Sequence, residues 1–420
     1  MNWRTVGIIA LLIGILLRVA SIQWNSVLIH GDVNIDVSAA TSFHETGKLM
    51  ATNEESSVPL AQHGPVWAIL GSAYPDAYVG LRIASLLSGL LVLALLFLLG
   101  RKLLRGDGAW ILVGWAALSW LLVDYSGNGS LYSFQTALYL LWTLIVLQPG
   151  LRWRAVLLGL VSGVTYLLNF QAIILVPASV IVLLIPVGEP LGSPSAKLKL
   201  RLPERVRNAI TTLIVVIAVA SPWLLRNALL FGDPFYHHAI NSIYVIQKAG
   251  FAHLMDEHLR IPLGNWLQIA WGSVTVWLPN NLYYAARKLM ILAPIAFLFA
   301  AYGLIDVLFS KERFRKLWPI LLLCALHLLL SAAWPVMKFR YLVPLLPFVF
   351  LLSLEQIQEM KAPLRLKHGI IAATFASIIL LSFLTYRAIP THTYYYDGAI
   401  TQDAFHGNEE LQYLRDHDAL

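Results

Sequence analysis

Apolar runs of roughly 17–25 residues recur from one end of this chain to the other, each about as long as a helix needs to be to cross ~30 Å of hydrocarbon. In lipid a backbone has to satisfy its own hydrogen bonds, so runs of this kind fold as helices. Hydrophobic residues make up 58% of the 420-residue chain and charged ones 13%, a balance that excludes an ordinary soluble domain. We expect an all-α polytopic membrane protein of about eleven spans: Val6–Trp24, Tyr78–Leu99, Ala109–Val123, Leu131–Leu147, Trp153–Asn169, Ala172–Val187, Ala209–Leu230, Leu289–Phe309, Leu317–Trp334, Tyr341–Leu354 and Gly369–Arg387. The stretch Asn169–Gln171 reads either as a tight turn between two spans or as a polar kink in one. The first run is long, contains Arg18 and lacks a small-x-small cleavage site, so it reads as a retained span.

The connections alternate in character. "GRKLLRGDG", "QPGLRWR", "AKLKLRLPERVRN", "SKERFRK" and "EMKAPLRLKHG", taken with Arg4, hold 18 of the 30 Lys and Arg residues. Basic loops stay on the cytoplasmic side, which predicts a cytoplasmic amino terminus and an outside carboxyl tail. The net charge of +7 is thus explained by topology and implies no nucleic-acid partner. Residues 1–387 form the expected transmembrane domain, with long outside segments at 25–77 and 231–288. The tail 388–420 is too short to fold alone. Cys324 is the single cysteine, so no intrachain disulfide forms.

The first outside segment opens with "LIHGDVNIDVSAATSFHETG". In helical register Asp32, Asp36 and Ala39/Ala40 share a face, and Gly47 is suited to end the helix. Asp32 falls at the helix start, where the dipole favours a carboxylate. Local sequence leaves its role open between capping and catalysis.

An Asp soon after the first span, a small residue eight positions on (Ala40) and a Gly fifteen on (Gly47) resemble the first outside loop of the GT-C superfamily. The likeness is to family 39-like glycosyltransferases, related to protein O-mannosyltransferases and aminoarabinose transferases. "AQHGPVWAILGSAY" is similar to that family's Pro-aromatic segment, and "GLRIASLLSGLLVLALLFLLGRKLLRGDGAWILVGWAALS" to its second span and basic turn. "ASPWLLRNALLFGDPF" resembles its Pro-Trp-x-x-Arg-Asn stretch, and "KFRYLVPLLPFVFLL" its Arg-Tyr-x-x-Pro-x-x-Pro span. Two places depart from the pattern. Val33 and Asp36 stand where many members have a Glu and an aromatic, and His63-Gly64-Pro65 replaces the common Pro-Pro-aromatic.

The resemblance implies transfer of a sugar from a polyprenyl (or dolichyl) phosphate to an acceptor hydroxyl in one inverting displacement. That step needs a carboxylate base and cations for the leaving phosphate. By the resemblance Asp32 is the base. Arg340, Lys338, Arg82, Arg226 and Tyr341, near outside ends of spans, are the phosphate-binding candidates, although arginines there also anchor spans at headgroups and Tyr341 also suits an aromatic belt. Asp36, His63, His237 and His238 are candidates for acceptor binding or support. With the aspartates these histidines leave room for a divalent metal, but no HExxH or DxD pairing requires one. The expected partners are the lipid-linked donor, a glycan, lipid or protein acceptor, and the bilayer. "NGS" at Asn128 matches a glycosylation sequon on a turn too short to present it.

Two rival classes share the spans. A secondary transporter or flippase should carry charges at span centres and broken helices in related halves, whereas acidic residues here sit at span ends. An O-antigen ligase or polymerase shares the donor but places its chemistry in a later outside loop. The alternating charge is directly testable: reporter fusions at Lys199 and at the carboxyl end should report opposite sides of the membrane. A single side for both would overturn the shared-face arrangement of base and cations.

Overall fold

The computed structural model of the protein describes residues 2–24, 31–53, 56–60, 63–185, 196–236, 271–334 and 338–388. Five helices are long and apolar enough to cross a membrane: Trp3–Ile22, Ala77–Leu103, Leu202–Phe231, Lys311–Ala332 and Leu364–Leu384. Five shorter apolar stretches accompany them, Gly108–Leu118, Tyr132–Val146, Arg154–Leu168, Phe170–Leu184 and Pro294–Phe309. The described residues thus form a multi-pass helical bundle.

In chain order α1 spans Trp3–Trp24 and α2 Gly31–Thr46. An antiparallel hairpin follows, β1 Met50–Asn53 paired with β2 Ser56–Pro59, in a register that sets Ala51 opposite Val58. Then come α3 Pro65–Gly71, α4 Ala77–Leu103, α5 Gly108–Leu118, α6 Trp120–Asp124, α7 Tyr132–Val146 and α8 Arg154–Leu168. A 3₁₀ turn, Phe170–Ile174, leads to α9 Leu175–Leu184, and α10 runs Ala196–Phe231. The remaining helices are α11 Leu278–Leu292, α12 Pro294–Phe309, α13 Lys311–Ala332, α14 Leu346–Glu359 and α15 Leu364–Ala388, with a 3₁₀ turn at Phe339–Leu342.

Local chemistry explains several boundaries. Asp76 caps α4, its carboxylate accepting from the amides of Tyr78 (2.9 Å) and Val79 (3.2 Å). Asn169 caps the 3₁₀ turn by accepting from Gln171 N at 3.2 Å, so the ambiguous "NFQ" is a tight turn and α9 packs back on α8. Three expectations need correction. The run Leu289–Phe309 is not one helix, because the chain breaks at Ala293 before Pro294. The basic stretch 197–207 is not a loop but the first turns of α10. The run Ala109–Val123 is interrupted at Ser119.

That interruption is fully provided for. Ser382 Oγ of α15 accepts from Trp120 N at 3.1 Å and donates to Leu118 O at 2.8 Å. Arg18, 0% exposed on α1, donates through Nη1 to Ala117 O (2.7 Å) and through Nη2 to Ala116 O (3.1 Å). A cation thus sits at the carboxyl end of α5, where both the helix dipole and the unpaired carbonyls favour it. The approach is close: a Cβ at Gly14 would lie 2.4 Å from Ala117 O.

Three of the basic connections meet at one end of the bundle. Gln358 Oε1 accepts from Arg105 N at 3.0 Å, Arg105 pairs with Glu359 at 3.0 Å, and Lys316 Nζ donates to Leu103 O at 2.8 Å. Beside them Arg313 pairs with Asp306 and Glu355.

Arg18→Leu should leave two carbonyls in the bundle interior without their donor, at about 1–3 kcal/mol each, and lower the thermal unfolding midpoint of the detergent-solubilised protein. Arg18→Lys should recover part of the loss. An unchanged midpoint for Arg18→Leu would show that the break does not need its cation.

Candidate active site

The site begins with α2, which runs as the sequence anticipates: Gly47, at φ 69°, ends it and donates to Phe43 O at 2.9 Å. Asp32 is placed by its backbone as the second residue of α2. Its neighbour Val33 is buried and packs against the turn at Gly129, where a Cβ would lie 3.6 Å from Val33 Cγ1 and 3.4 Å from Arg82 Cγ. The first turn of α2 and Arg82 therefore flank one loop, residues 125–130.

Arg82 is 7% exposed on the first turns of α4. Its Nε donates to Gly127 O at 3.2 Å, and its guanidinium carbon lies 4.9 Å from the Tyr78 ring centroid. Arg82 Nη2, Asn128 Nδ2 and Ser130 Oγ are buried without a hydrogen-bond partner among the described residues. An unsatisfied buried donor costs about 1–3 kcal/mol, so this loop presents hydrogen-bonding capacity suited to an oxygen-rich ligand. Asn128 is itself buried and accepts from Ser130 N at 3.0 Å, so the sequon is not presented for glycosylation.

Asp36 and His63 mark two of the places where the sequence departs from the family pattern, and they meet. His63 Nδ1 lies 2.9 Å from Asp36 Oδ1, with side chains 11% and 1% exposed. Gly64 is required beside them, because a Cβ there would lie 1.8 Å from Leu167 O at the end of α8. Trp67, two residues into α3, donates from Nε1 to Gly129 O at 2.9 Å. Asp36 is thus a buried partner of His63 and holds the loop leading into α3 against α2.

Arg226 clamps the hairpin. Its Nη1 donates to Leu60 O at 2.9 Å and its Nη2 to Leu49 O at 3.3 Å, while its guanidinium carbon stands 4.3 Å from the Trp223 ring centroid. Arg340 and Tyr341 lie in the Phe339–Leu342 turn, with half-buried Lys338 just before it. The Arg340 guanidinium carbon is 5.4 Å from the Tyr341 ring centroid, and Tyr341 is buried against Tyr132, ring centroids 6.3 Å apart. An aromatic belt is therefore not its place. His237 and His238 lie outside the described residues. Among the described residues no three His, Cys, Asp or Glu side chains come together as a metal would require.

Two buried charges escaped sequence reasoning. Lys288 of α11 is 3% exposed, its Nζ 4.6 Å from the Phe339 ring centroid. Asp124 ends α6 buried, its carbonyl accepting from Gly127 N (2.9 Å) and Asn128 N (3.1 Å) to start the 125–130 loop. Each is a charge flanking an apolar run, a signal open to a reader who asks why the run stops there.

No protein-family model and no curated protein sequence matches the chain. Solved structures do. ArnT from Cupriavidus metallidurans bound to undecaprenyl phosphate superposes with a TM-score of 0.57 at 15% identity, over 91% of this chain and 65% of that one. The Archaeoglobus fulgidus oligosaccharyltransferase tethered to an acceptor peptide containing the NVT sequon gives 0.57 at 15% identity, over 91% and 55%. Its complex with Zn and sulfate gives 0.55 at 16%, over 90% and 52%. The chain thus spans less than two thirds of the length of these structures, and it shares their fold.

Asp36→Ala and His63→Ala should each lower stability, and the double variant should lose clearly less than the two losses added, with a coupling of about 1–3 kcal/mol. Thermal unfolding of the four proteins measures this. Additive losses would show that the two side chains do not depend on each other.

Proposed function

We propose that the protein is a membrane glycosyltransferase that moves a sugar from a polyprenyl-phosphate donor to a hydroxyl of an envelope or protein acceptor, with inversion. In this reading the amino terminus lies in the cytoplasm, and the site and carboxyl tail outside, as the alternating basic connections imply. The fold of ArnT and the oligosaccharyltransferase supports the class. One observation carries the chemistry: a carboxylate position on the first turn of α2 and a buried guanidinium with an unspent N–H flank the same loop, joined through Val33 and Gly129.

Asp32 takes the proton of the acceptor hydroxyl as its oxygen attacks the anomeric carbon. The carbon–oxygen bond to the phosphate breaks on the opposite face, and polyprenyl phosphate leaves. Its growing negative charge is met by Arg340 and Lys338, and Arg82 faces the loop beside the base; such contacts count most where charge develops. Arg340 offers a planar pair of donors to phosphate oxygens. Tyr341, packed on Tyr132, fixes the turn that carries Arg340. Arg226 acts by holding the hairpin in place, while Asp36 and His63 hold the loop before α3. Zinc in the oligosaccharyltransferase complex motivates a test of divalent cations, but each step above uses only this chain's own residues.

Purified protein given a polyprenyl-phosphate sugar and envelope extract should release polyprenyl phosphate and form a glycoside of inverted configuration, read by mass spectrometry. Asp32→Asn keeps the size and shape of the side chain and should fold, insert and lose about 10²–10⁴-fold in rate. Arg340→Ala should weaken donor binding, with Arg340→Lys intermediate because it lacks the paired geometry. Transfer by Asp32→Asn at the normal rate would reject this base. Movement of the lipid-linked sugar across vesicles without any glycoside formed would reject the transferase.

A further inference from the structure

The Phe339–Leu342 turn is held from within the bundle by a run of hydrogen bonds whose direction is set at one end. His327 Nε2, on α13, lies 2.8 Å from Tyr341 O. A carbonyl only accepts, so Nε2 carries the proton. Tyr139 Oη of α7 stands 2.9 Å from His327 Nδ1 and donates to it. Tyr139 Oη in turn accepts from Gln135 Nε2 at 3.1 Å. Gln135 Oε1 accepts from Asn169 Nδ2 at 2.9 Å, and Asn169 Oδ1 accepts from the Gln171 amide at 3.2 Å. A proton on Nδ1 as well would leave the Tyr139 hydroxyl hydrogen facing the Gln135 amide group with no acceptor. Ser331 Oγ, 3.4 Å from Nε2, is left an acceptor's share.

This run ties the turn after α8, the middle of α7 and α13 to one backbone carbonyl. His327 is 1% exposed and Tyr139 0%, so both act within the packed interior. We infer that His327 is a positioning residue: held in its Nε2–H tautomer by Tyr139, it fixes the Tyr341 carbonyl and so sets where Arg340 reaches the donor phosphate. The last step rests on the proposed role of Arg340; the hold on the turn does not.

The test compares His327→Phe, which keeps an aromatic ring but no donor, with His327→Gln, whose amide nitrogen can restore the bond to the carbonyl. Amide exchange of residues 338–345, followed by mass spectrometry on the full-length protein in nanodiscs, should quicken roughly tenfold in His327→Phe and return most of the way in His327→Gln. Affinity for undecaprenyl phosphate should fall roughly five- to tenfold in His327→Phe, recover in His327→Gln, and fall no further when His327→Phe is added to Arg340→Ala. Unchanged exchange in His327→Phe would overturn the positioning role. A loss of affinity that persists undiminished in the Arg340→Ala background would overturn its action through Arg340. Normal affinity in Arg340→Ala alone would reject the phosphate reading, leaving the exchange result to judge His327 by itself.

Discussion

An apolar bundle tolerates a broken helix only where other side chains take up the backbone groups the break sets free, and here that duty falls to Arg18 and Ser382. Without the interruption at Ser119, the run from Gly108 would continue as one straight helix. With it, α6 is re-aimed, Asp124 ends the short helix, and the chain turns through Gly127 and Gly129 into contact with α2, α3 and α4. Arg82, Trp67 and Val33 all converge on that loop. The geometry of the candidate site therefore depends on a cation buried in α1.

The same economy recurs around the site. Buried and half-buried polar groups here hold irregular segments in place: Arg226 the carbonyls flanking the hairpin, Asp36 the His63 side chain, His327 the carbonyl of Tyr341. Charges with partners of this kind are fixed in place. Arg82 differs, since part of its donor capacity is unspent at a buried position. Partner counting thus separates scaffold from prospective ligand contact more sharply than residue type does.

The sequence made the spans legible because lipid imposes one period and one length on everything that crosses it. It also made α2 legible, since Gly47 marks the end and Asp32 suits the start. The interruption at Ser119 was not legible: its partners, Arg18 and Ser382, lie about a hundred and more than two hundred and fifty residues away, and nothing in "AALSWLLVD" is polar enough to mark a break. The hairpin was hidden for a like reason, because four-residue strands owe their place to a distant arginine. For Asp36 the sequence leaves acceptor binding and support both open, because helical register tells which residues share a face, but not which face is covered. For Tyr341 residue type leaves a phosphate contact and a membrane belt both open, and its burial edge-on against Tyr132 removes the belt.

The contact between Asp36 and His63 has a consequence for how such a chain can diverge. A carboxylate shut inside a protein is costly unless a partner meets it, so neither position changes safely alone. A grafted loop would therefore fit here only if it carried both halves of the pair.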